Sequence, residues 1–196
     1  MISFDLKSAY HHISIFPDHC KFLSFAWDMG EGVRYFSFQV LPFGLSSAPY
    51  IFTKCLRPLV KHWRERGYFA VIYLDDGWCS APSYSECLNI SNCIKDDILR
   101  AGLVPNNDKS VWTPVQSLDW LGITWNTVHG SLHITEKRIS KILSNIDELQ
   151  IRLPRVTARQ LAAFVGRIIS LRPVVGYGTI EIEIYNYEHM STEPLG

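Results

Sequence analysis

The chain has 196 residues, 47% of them apolar, with 19 basic and 19 acidic side chains and therefore no net charge. This composition suits one domain, or one with a small appendage, around a real core, and it argues against disorder. No apolar run approaches the ~20 residues of a membrane-spanning helix, and Asp5 and Lys7 interrupt any leader-like stretch. The expectation is an intracellular protein of cytoplasm or nucleus, neither secreted nor membrane-bound. The five cysteines (Cys20, Cys55, Cys79, Cys87, Cys93) show no C-x-x-C spacing. Reduced, buried thiols are expected rather than a zinc or redox motif.

Zero net charge speaks mildly against a nucleic-acid binder, which is usually basic. The charges are nevertheless segregated. Residues 137–172 carry eight Lys or Arg against two acids, Asp147 and Glu148, whereas the residues after Arg172 carry four Glu and no Lys or Arg. A basic stretch of this kind also reads as an ordinary solvated face.

In chain order, residues 2–6 form an apolar strand. Residues 22–27 and 33–41 flank the turn signal Met29-Gly30-Glu31-Gly32 and predict a hairpin. Ser46, Ser47 and Pro49 open a helix with Phe52, Leu56, Leu59, Val60 and Trp63 on one side, bent at Pro58 and ended by Gly67. Residues 69–74 form a β-branched strand, and Asp75-Asp76-Gly77 followed by Trp78-Cys79-Ser80 predicts a second hairpin with acids at its tip. The capping box Ser83-x-x-Glu86 starts a helix whose Cys87, Ile90, Ile94 and Ile98 repeat at three and four, with Gly102 closing it. Residues 118–126 and 131–134 predict a hairpin across His129-Gly130. Residues 136–150 follow as an amphipathic helix with Ile139, Ile142, Ile146 and Leu149. A second capping box, Thr157-x-x-Gln160, precedes a helix with Leu161, Phe164, Val165 and Ile168, stopped by Pro173. Hairpin-linked strands with interspersed helices imply an α+β fold, an antiparallel sheet with helices on one face, rather than a doubly wound sheet.

Three acids are out of place in this pattern. Asp5 interrupts an apolar strand, and Asp75 and Asp76 cap another. Adjacent carboxylates repel and are costly to desolvate, and a divalent cation removes both penalties. Magnesium favours few protein carboxylates and fills its remaining positions with water and phosphate oxygens. Asp75-Asp76-Gly77 also reads as a plain hairpin turn, because Asp-Gly is a common turn former. Two neighbouring strands of one sheet bring Asp5 and Asp75 together in the metal-binding reading. His11, His12 and His19 lack the Cys or acid spacing of a zinc site and read as surface or packing histidines.

Five segments, in this order, resemble the motifs of retroelement reverse transcriptases. They are Phe4-Asp5-Leu6-Lys7-Ser8-Ala9-Tyr10-His11; Leu41-Pro42-Phe43-Gly44-Leu45-Ser46-Ser47-Ala48-Pro49-Tyr50-Ile51-Phe52; Tyr73-Leu74-Asp75-Asp76; Gly102-Leu103-Val104-Pro105 with Asn107-Asp108-Lys109-Ser110; and Leu118-Asp119-Trp120-Leu121-Gly122. The likeness covers roughly residues 1–172. Its form is similar to gypsy-type and especially DIRS-type elements, through the Pro-Phe-Gly-Leu-Ser-Ser-Ala-Pro run and the segment Thr157-Ala158-Arg159-Gln160-Leu161.

The resemblance implies a palm over 1–115, a primer-grip hairpin over 116–134 and thumb helices over 135–172, with 173–196 unassigned. It implies an RNA-directed DNA polymerase that adds dNTPs to a primer 3′-hydroxyl with two Mg²⁺ ions, Mn²⁺ also being accepted. The partners implied are an RNA or DNA template-primer, dNTPs and the other domains of a retroelement polyprotein. Asp5 and Asp75 would be direct ligands of both metals, Asp76 the third acid, and the Leu6 carbonyl would reach the nucleotide-side metal.

Further roles follow from the same likeness. Tyr10, five residues after Asp5, falls at the steric gate that excludes a ribose 2′-hydroxyl, although alone it reads as a half-buried aromatic. Phe43 and Gly44 resemble the turn against the incoming nucleotide and template base. Many retroviral members carry Gln at the Phe43 position, and Phe is usual in the gypsy-type branch. Pro49 and Phe52 would set helix direction and packing. Lys109 would protonate the leaving pyrophosphate, or is a solvated surface lysine. Tyr73, Trp120, Leu121 and Gly122 would contact the primer, Trp120 being otherwise core. Arg138, Lys141, Arg155, Arg159 and Arg167 are candidate phosphate contacts.

The family's fingers subdomain, with its triphosphate-binding cations, would precede Asp5, and only four residues do so here. A fragment that polymerises poorly by itself is therefore expected. A catalytically dead remnant kept as a nucleic-acid-binding module is the alternative, against which the three intact acids argue. An RNA-dependent RNA polymerase usually carries Gly before the paired acids and lacks a bulky gate, so Leu74 and Tyr10 favour DNA synthesis.

Overall fold

The computed structural model describes residues 1–175; the acidic Glu-bearing stretch, and with it most of the unassigned tail, lies outside the described residues. The chain forms two compact units, Met1–Leu118 and a second beginning at Asp119.

The first unit starts with strand β1 (Ile2–Asp5), a 3₁₀ turn (Ala9–His12), a short helix α1 (Pro17–Cys20) and another 3₁₀ turn (Lys21–Leu23). The hairpin β2 (Ser24–Asp28) and β3 (Val33–Ser37) follows, then helix α2 (Ala48–Glu65), hairpin β4 (Phe69–Tyr73) and β5 (Asp76–Ser80), and helix α3 (Tyr84–Arg100). Strands β1, β5 and β4 make an antiparallel sheet with β5 in the middle. The outer edge of β1 is closed by residues 104–111: Ser3 and Val111 exchange both backbone hydrogen bonds, at 3.2 and 2.7 Å, and Lys7 donates to the Val104 carbonyl at 2.8 Å. Covering that edge removes a template for intermolecular pairing.

The core is built where the helical and strand periodicities meet. Ile2, Phe4 and Leu6 of the first segment pack with Phe52, Leu56 and Trp63 of α2 and with Cys87, Ile90, Ile94 and Ile98 of α3. Helix α2 runs unbroken through Pro58. The Trp63 indole donates to Asp97 of α3 at 3.0 Å, so a fully buried ring keeps its one polar atom satisfied. Ser83 caps α3 by accepting the Glu86 amide at 3.2 Å. The β2–β3 hairpin is exposed throughout, and its Phe25–Phe36 cross-strand pair stacks at 5.5 Å.

The second unit contains β6 (Ser117–Trp120, which starts just before the division), β7 (Ile123–Asn126), β8 (Ser131–Ile134) and helices α4 (Glu136–Ile151), α5 (Ala158–Ile169) and α6 (Arg172–Val175). The expected single strand over 118–126 is in fact two, broken by a Leu121-Gly122 turn with φ of 51° and 75°. The capping box at Thr157 and Gln160 is present. Helix α5 ends at Ile169, and Pro173 lies inside α6 rather than acting as the stop, as is allowed in a first helical turn. Of the predicted apolar faces, Ile142 is buried, whereas Ile139, Leu161 and Val165 are exposed.

The cysteines carry no disulfide among the described residues; Cys79 and Cys87 are buried, but Cys55 is exposed on α2, against the expectation of buried thiols. Burial pushes the Cys79 thiol up to about 12. No helix among the described residues is long and apolar enough to cross a membrane.

A second correction concerns the acid-tipped hairpin. The two-residue turn is Leu74-Asp75, closed by the Tyr73–Asp76 pair, and Gly77 sits inside β5. Gly77 faces Phe4 across the β1–β5 ladder, and a Cβ there would fall on the Phe4 ring. Gly77→Ala is therefore expected to destabilise the chain by about 1–3 kcal/mol through overpacking. Phe4→Leu in the same chain should make the alanine less costly, a non-additivity readable from urea-unfolding midpoints.

Candidate active site

Strand pairing decides where the three acids lie. In the antiparallel β1–β5 ladder Asp5 is directly opposite Asp76. One residue on, the Leu6 amide donates to the Asp75 carbonyl at 3.0 Å, tying the turn to the end of β1. Leu74, just before Asp75, holds φ at +55°, an uncommon conformation for a branched residue. Such strain clusters at functional turns.

Asp5 is held by a loop over a hundred positions downstream. The Asn106 side-chain amide donates to Asp5 Oδ1 at 2.8 Å, and the Asn106 backbone amide donates to the Asp5 carbonyl at 2.8 Å. The Asp5 amide donates to Ser110 Oγ at 3.1 Å, and that hydroxyl donates to the Asn106 carbonyl at 2.7 Å. Lys109 Nζ stands 4.0 Å from Asp5 Oδ2, with its side chain largely exposed. Asn106 and Ser110 both bond to Asp5, and sequence reasoning gave neither a role. The fourth motif brought Ser110 into view, but nothing local shows that Asn106 reaches Asp5.

Charge is concentrated here. Burial, then repulsion from Asp75 and Asp5, raises the Asp76 carboxyl above its usual range, partly offset by Lys109. Tyr10 is half-buried, its ring 5.0 Å from Phe43 and 5.4 Å from Phe52. Its phenol is also raised, first by burial, then by Asp75 and Tyr73. The predicted gate, nucleotide turn and paired acids thus share one neighbourhood. Phe43 is 61% exposed and Gly44 takes φ +88°, a turn conformation that favours glycine. Tyr73 is 59% exposed, whereas the Leu6 side chain is core, so only the Leu6 backbone faces the site.

Hard carboxylate oxygens in mutual repulsion fit a divalent cation. Among the described residues, no group of three or more His, Cys, Asp or Glu closes into a ready-made metal cage. Magnesium asks for few protein carboxylates and keeps its other positions for water and phosphate oxygens.

The other predicted residues lie in the second unit. The Trp120 and Trp125 rings stand 6.3 Å apart, and the Leu121-Gly122 turn is braced from α4 by Arg138, which donates to the Leu121 carbonyl at 3.3 Å. Arg138 also donates to the Ser170 hydroxyl and carbonyl, at 2.5 and 3.3 Å. These bonds brace the turn from within the unit, a role the sequence did not suggest for Arg138. Arg167 donates to the Asn145 side-chain oxygen and is exposed. Lys141, Arg155 and Arg159 remain exposed.

The family described as "Reverse transcriptase (RNA-dependent DNA polymerase)" matches residues 1–125, well over half of the chain. The chain belongs to the reverse transcriptase family. It is 28% identical over 172 residues to the transposon Tf2-3 polyprotein of Schizosaccharomyces pombe, covering 87% of the chain and 12% of that relative. It is 26% identical over 140 residues to an enzymatic polyprotein of Cassava vein mosaic virus, covering 71% of the chain and 20% of the relative. In structure it is similar to the foamy viral protease-reverse transcriptase solved with double-stranded DNA, with TM-score 0.69 and 22% identity over 98% of this chain and 31% of that one. The same foamy viral protein solved with an RNA/DNA hybrid gives TM-score 0.65 and 23% identity, over 87% of this chain and 21% of that one. The fold is that of a reverse transcriptase, and the chain spans roughly an eighth to a fifth of the polyproteins it matches.

The sign of the Asp76 shift gives a prediction for the metal-free chain. A carboxyl raised in the folded state opposes folding as it ionises, so that stability falls as pH rises from about 4 through the raised value. In EDTA at pH 7, Asp76→Asn should therefore melt higher than the wild type, with the difference shrinking toward pH 4. A mutant that melts lower at pH 7 contradicts the repulsion.

Proposed function

We propose that this chain is the palm and part of the thumb of a retroelement RNA-directed DNA polymerase, of gypsy or DIRS type. The observation that carries this reading is the register that sets Asp5 opposite Asp76, with the Asp75 turn bonded to Leu6 and the Tyr10–Phe43 pair alongside. In this reading the first unit is the palm, β6–β8 the primer-grip hairpin and α4–α5 the thumb portion. The partners are a template-primer, dNTPs and the other domains of a polyprotein.

Enzymes of this family generally use divalent metal ions. Here Asp5 and Asp75 would hold two Mg²⁺ ions with Asp76 as the third acid, and Mn²⁺ would substitute. The chemistry supplied is activation of the primer 3′-hydroxyl and neutralisation of charge on the triphosphate. Asn106 keeps the Asp5 carboxylate oriented, a positioning role of the kind that supporting hydrogen bonds play around metal ligands. In this reading the Tyr10 ring, backed by Phe43 and Phe52, would exclude a ribose 2′-hydroxyl, and Phe43 and Gly44 would line the nucleotide side. Lys109, 4.0 Å from Asp5, would donate a proton to the leaving pyrophosphate.

Two experiments test this reading. Mg²⁺ or Mn²⁺ should raise the melting temperature, because a ligand of the native state stabilises it, and Asp75→Asn should remove most of the rise. An equal rise in the mutant places the metal elsewhere. In primer extension on an RNA template, with the chain joined to a fingers segment from a related reverse transcriptase, Asp75→Asn should abolish synthesis. In the same assay Tyr10→Ala should relax discrimination against ribonucleotides by on the order of 10²-fold, since steric exclusion can exceed the ~1–3 kcal/mol of a missing methylene. No synthesis by the folded, joined wild type would favour the inactive remnant.

A further inference from the structure

The motifs leave the outer face of α2 without a role. Lys54, Arg57, Lys61 and Arg64 succeed one another at intervals of three, four and three residues, so they form one stripe along the helix. At 1.5 Å per residue they stand about 5 Å apart along the axis. All four are exposed. Lys61 has an exposed partner in Glu65 at 3.6 Å, and Lys54 lies over the Tyr50 ring at 5.7 Å. Among the described residues neither Arg57 nor Arg64 is paired with a carboxylate. The other cations of the helix's C-terminal end are used elsewhere: Arg66 and His62 approach Asp97, at 3.7 and 3.8 Å.

The stripe is one wall of an open groove of about 1140 Å³, with Leu56 and Val60 of α2 and Ile72 of β4 on its apolar side. Leu74, immediately before Asp75, also lines it, so the groove reaches the acid-bearing turn. That volume exceeds the ~300–1,000 Å³ usual for small-molecule pockets, and its cationic wall is linear.

We propose that this groove is a track for a single strand of nucleic acid, its phosphates on the α2 stripe and its bases over the aliphatic side, leading to or from the catalytic turn. The proposal rests on the polymerase reading and adds to it a second nucleic-acid surface inside the first unit. A nucleic-acid strand fits better than an acidic peptide for two reasons. The cations recur at a regular interval, as backbone phosphates do, and the track abuts the turn that carries Asp75. Among the described residues no aromatic side chain lines the groove itself, so binding depends on phosphates and is indifferent to sequence.

The test compares two labelled ligands by fluorescence anisotropy with the whole chain. One is a blunt duplex, the other the same duplex with a single-stranded extension of about ten nucleotides, within the usual range of single-strand site sizes. The wild type should bind the extended ligand more tightly. The double variant Arg57→Glu/Arg64→Glu should lose that gain while its affinity for the blunt duplex stays unchanged. The slope of log affinity against log salt for the extended ligand should fall by roughly 0.7 for each phosphate that the variant no longer neutralises. Arg57→Gln/Arg64→Gln, which removes charge without reversing it, should move both readouts the same way by less, and melting temperatures show that each variant is folded. A gain that survives in both variants overturns the track while leaving the polymerase reading intact. Displacement of the extension by polyglutamate as readily as by an unlabelled oligonucleotide makes the groove a peptide site and also overturns it. Failure of the wild type to bind either ligand overturns the nucleic-acid reading of the chain and the track with it.

Discussion

Everything at the candidate site depends on the register of β1 against β5. The Phe4–Gly77 pair fixes it, because the ring occupies the space where any side chain at position 77 would stand. With that pair set, Asp5 must face Asp76, and the Leu6 amide must meet the Asp75 carbonyl. A slip of one residue would turn Phe4 out of the core and send the acids to opposite faces. Packing of one aromatic ring therefore decides the position of the charges.

The chain tolerates three neighbouring acids by distributing their cost. Asp5 is satisfied by Asn106 and approached by Lys109, while Asp76 absorbs the repulsion as a raised carboxyl. The residues 104–111 that supply Asn106, Lys109 and Ser110 are the same ones that close the exposed edge of β1. One segment thus finishes the sheet and orients a carboxylate. Tyr10 and Phe43 complete the neighbourhood from the segment after β1 and the turn before α2, so four stretches of sequence meet around one strand end.

The second unit works by different means. Its helices bury little: Ile142 is the one buried side chain of α4, and α5 has none among the described residues. Side-chain bonds also link its segments, above all those of Arg138, which joins the Leu121 turn to Ser170. A guanidinium with several donors can satisfy carbonyls of two segments at once.

The sequence by itself determined what local physics controls. Apolar spacing located α2, α3, α4 and α5, Ser83 and Thr157 announced helix starts, and acids inside apolar strands marked Asp5, Asp75 and Asp76 as candidates for chemistry. Tertiary structure decided the rest. Asp76-Gly77 reads locally as a turn, yet Gly77 belongs to a strand because Phe4, more than seventy residues earlier, takes its side-chain space. The strand read over 118–126 breaks at Leu121-Gly122, where Arg138 and Thr135 hold the turn carbonyls. Asn106 carries no local sign of its bond to Asp5, because a hydrogen bond across a hundred residues leaves no periodicity to read. What stands beside a cation in space is likewise illegible in the sequence: Arg138 reaches Leu121 and Ser170, and Arg167 reaches Asn145, across intervals that leave no local pattern.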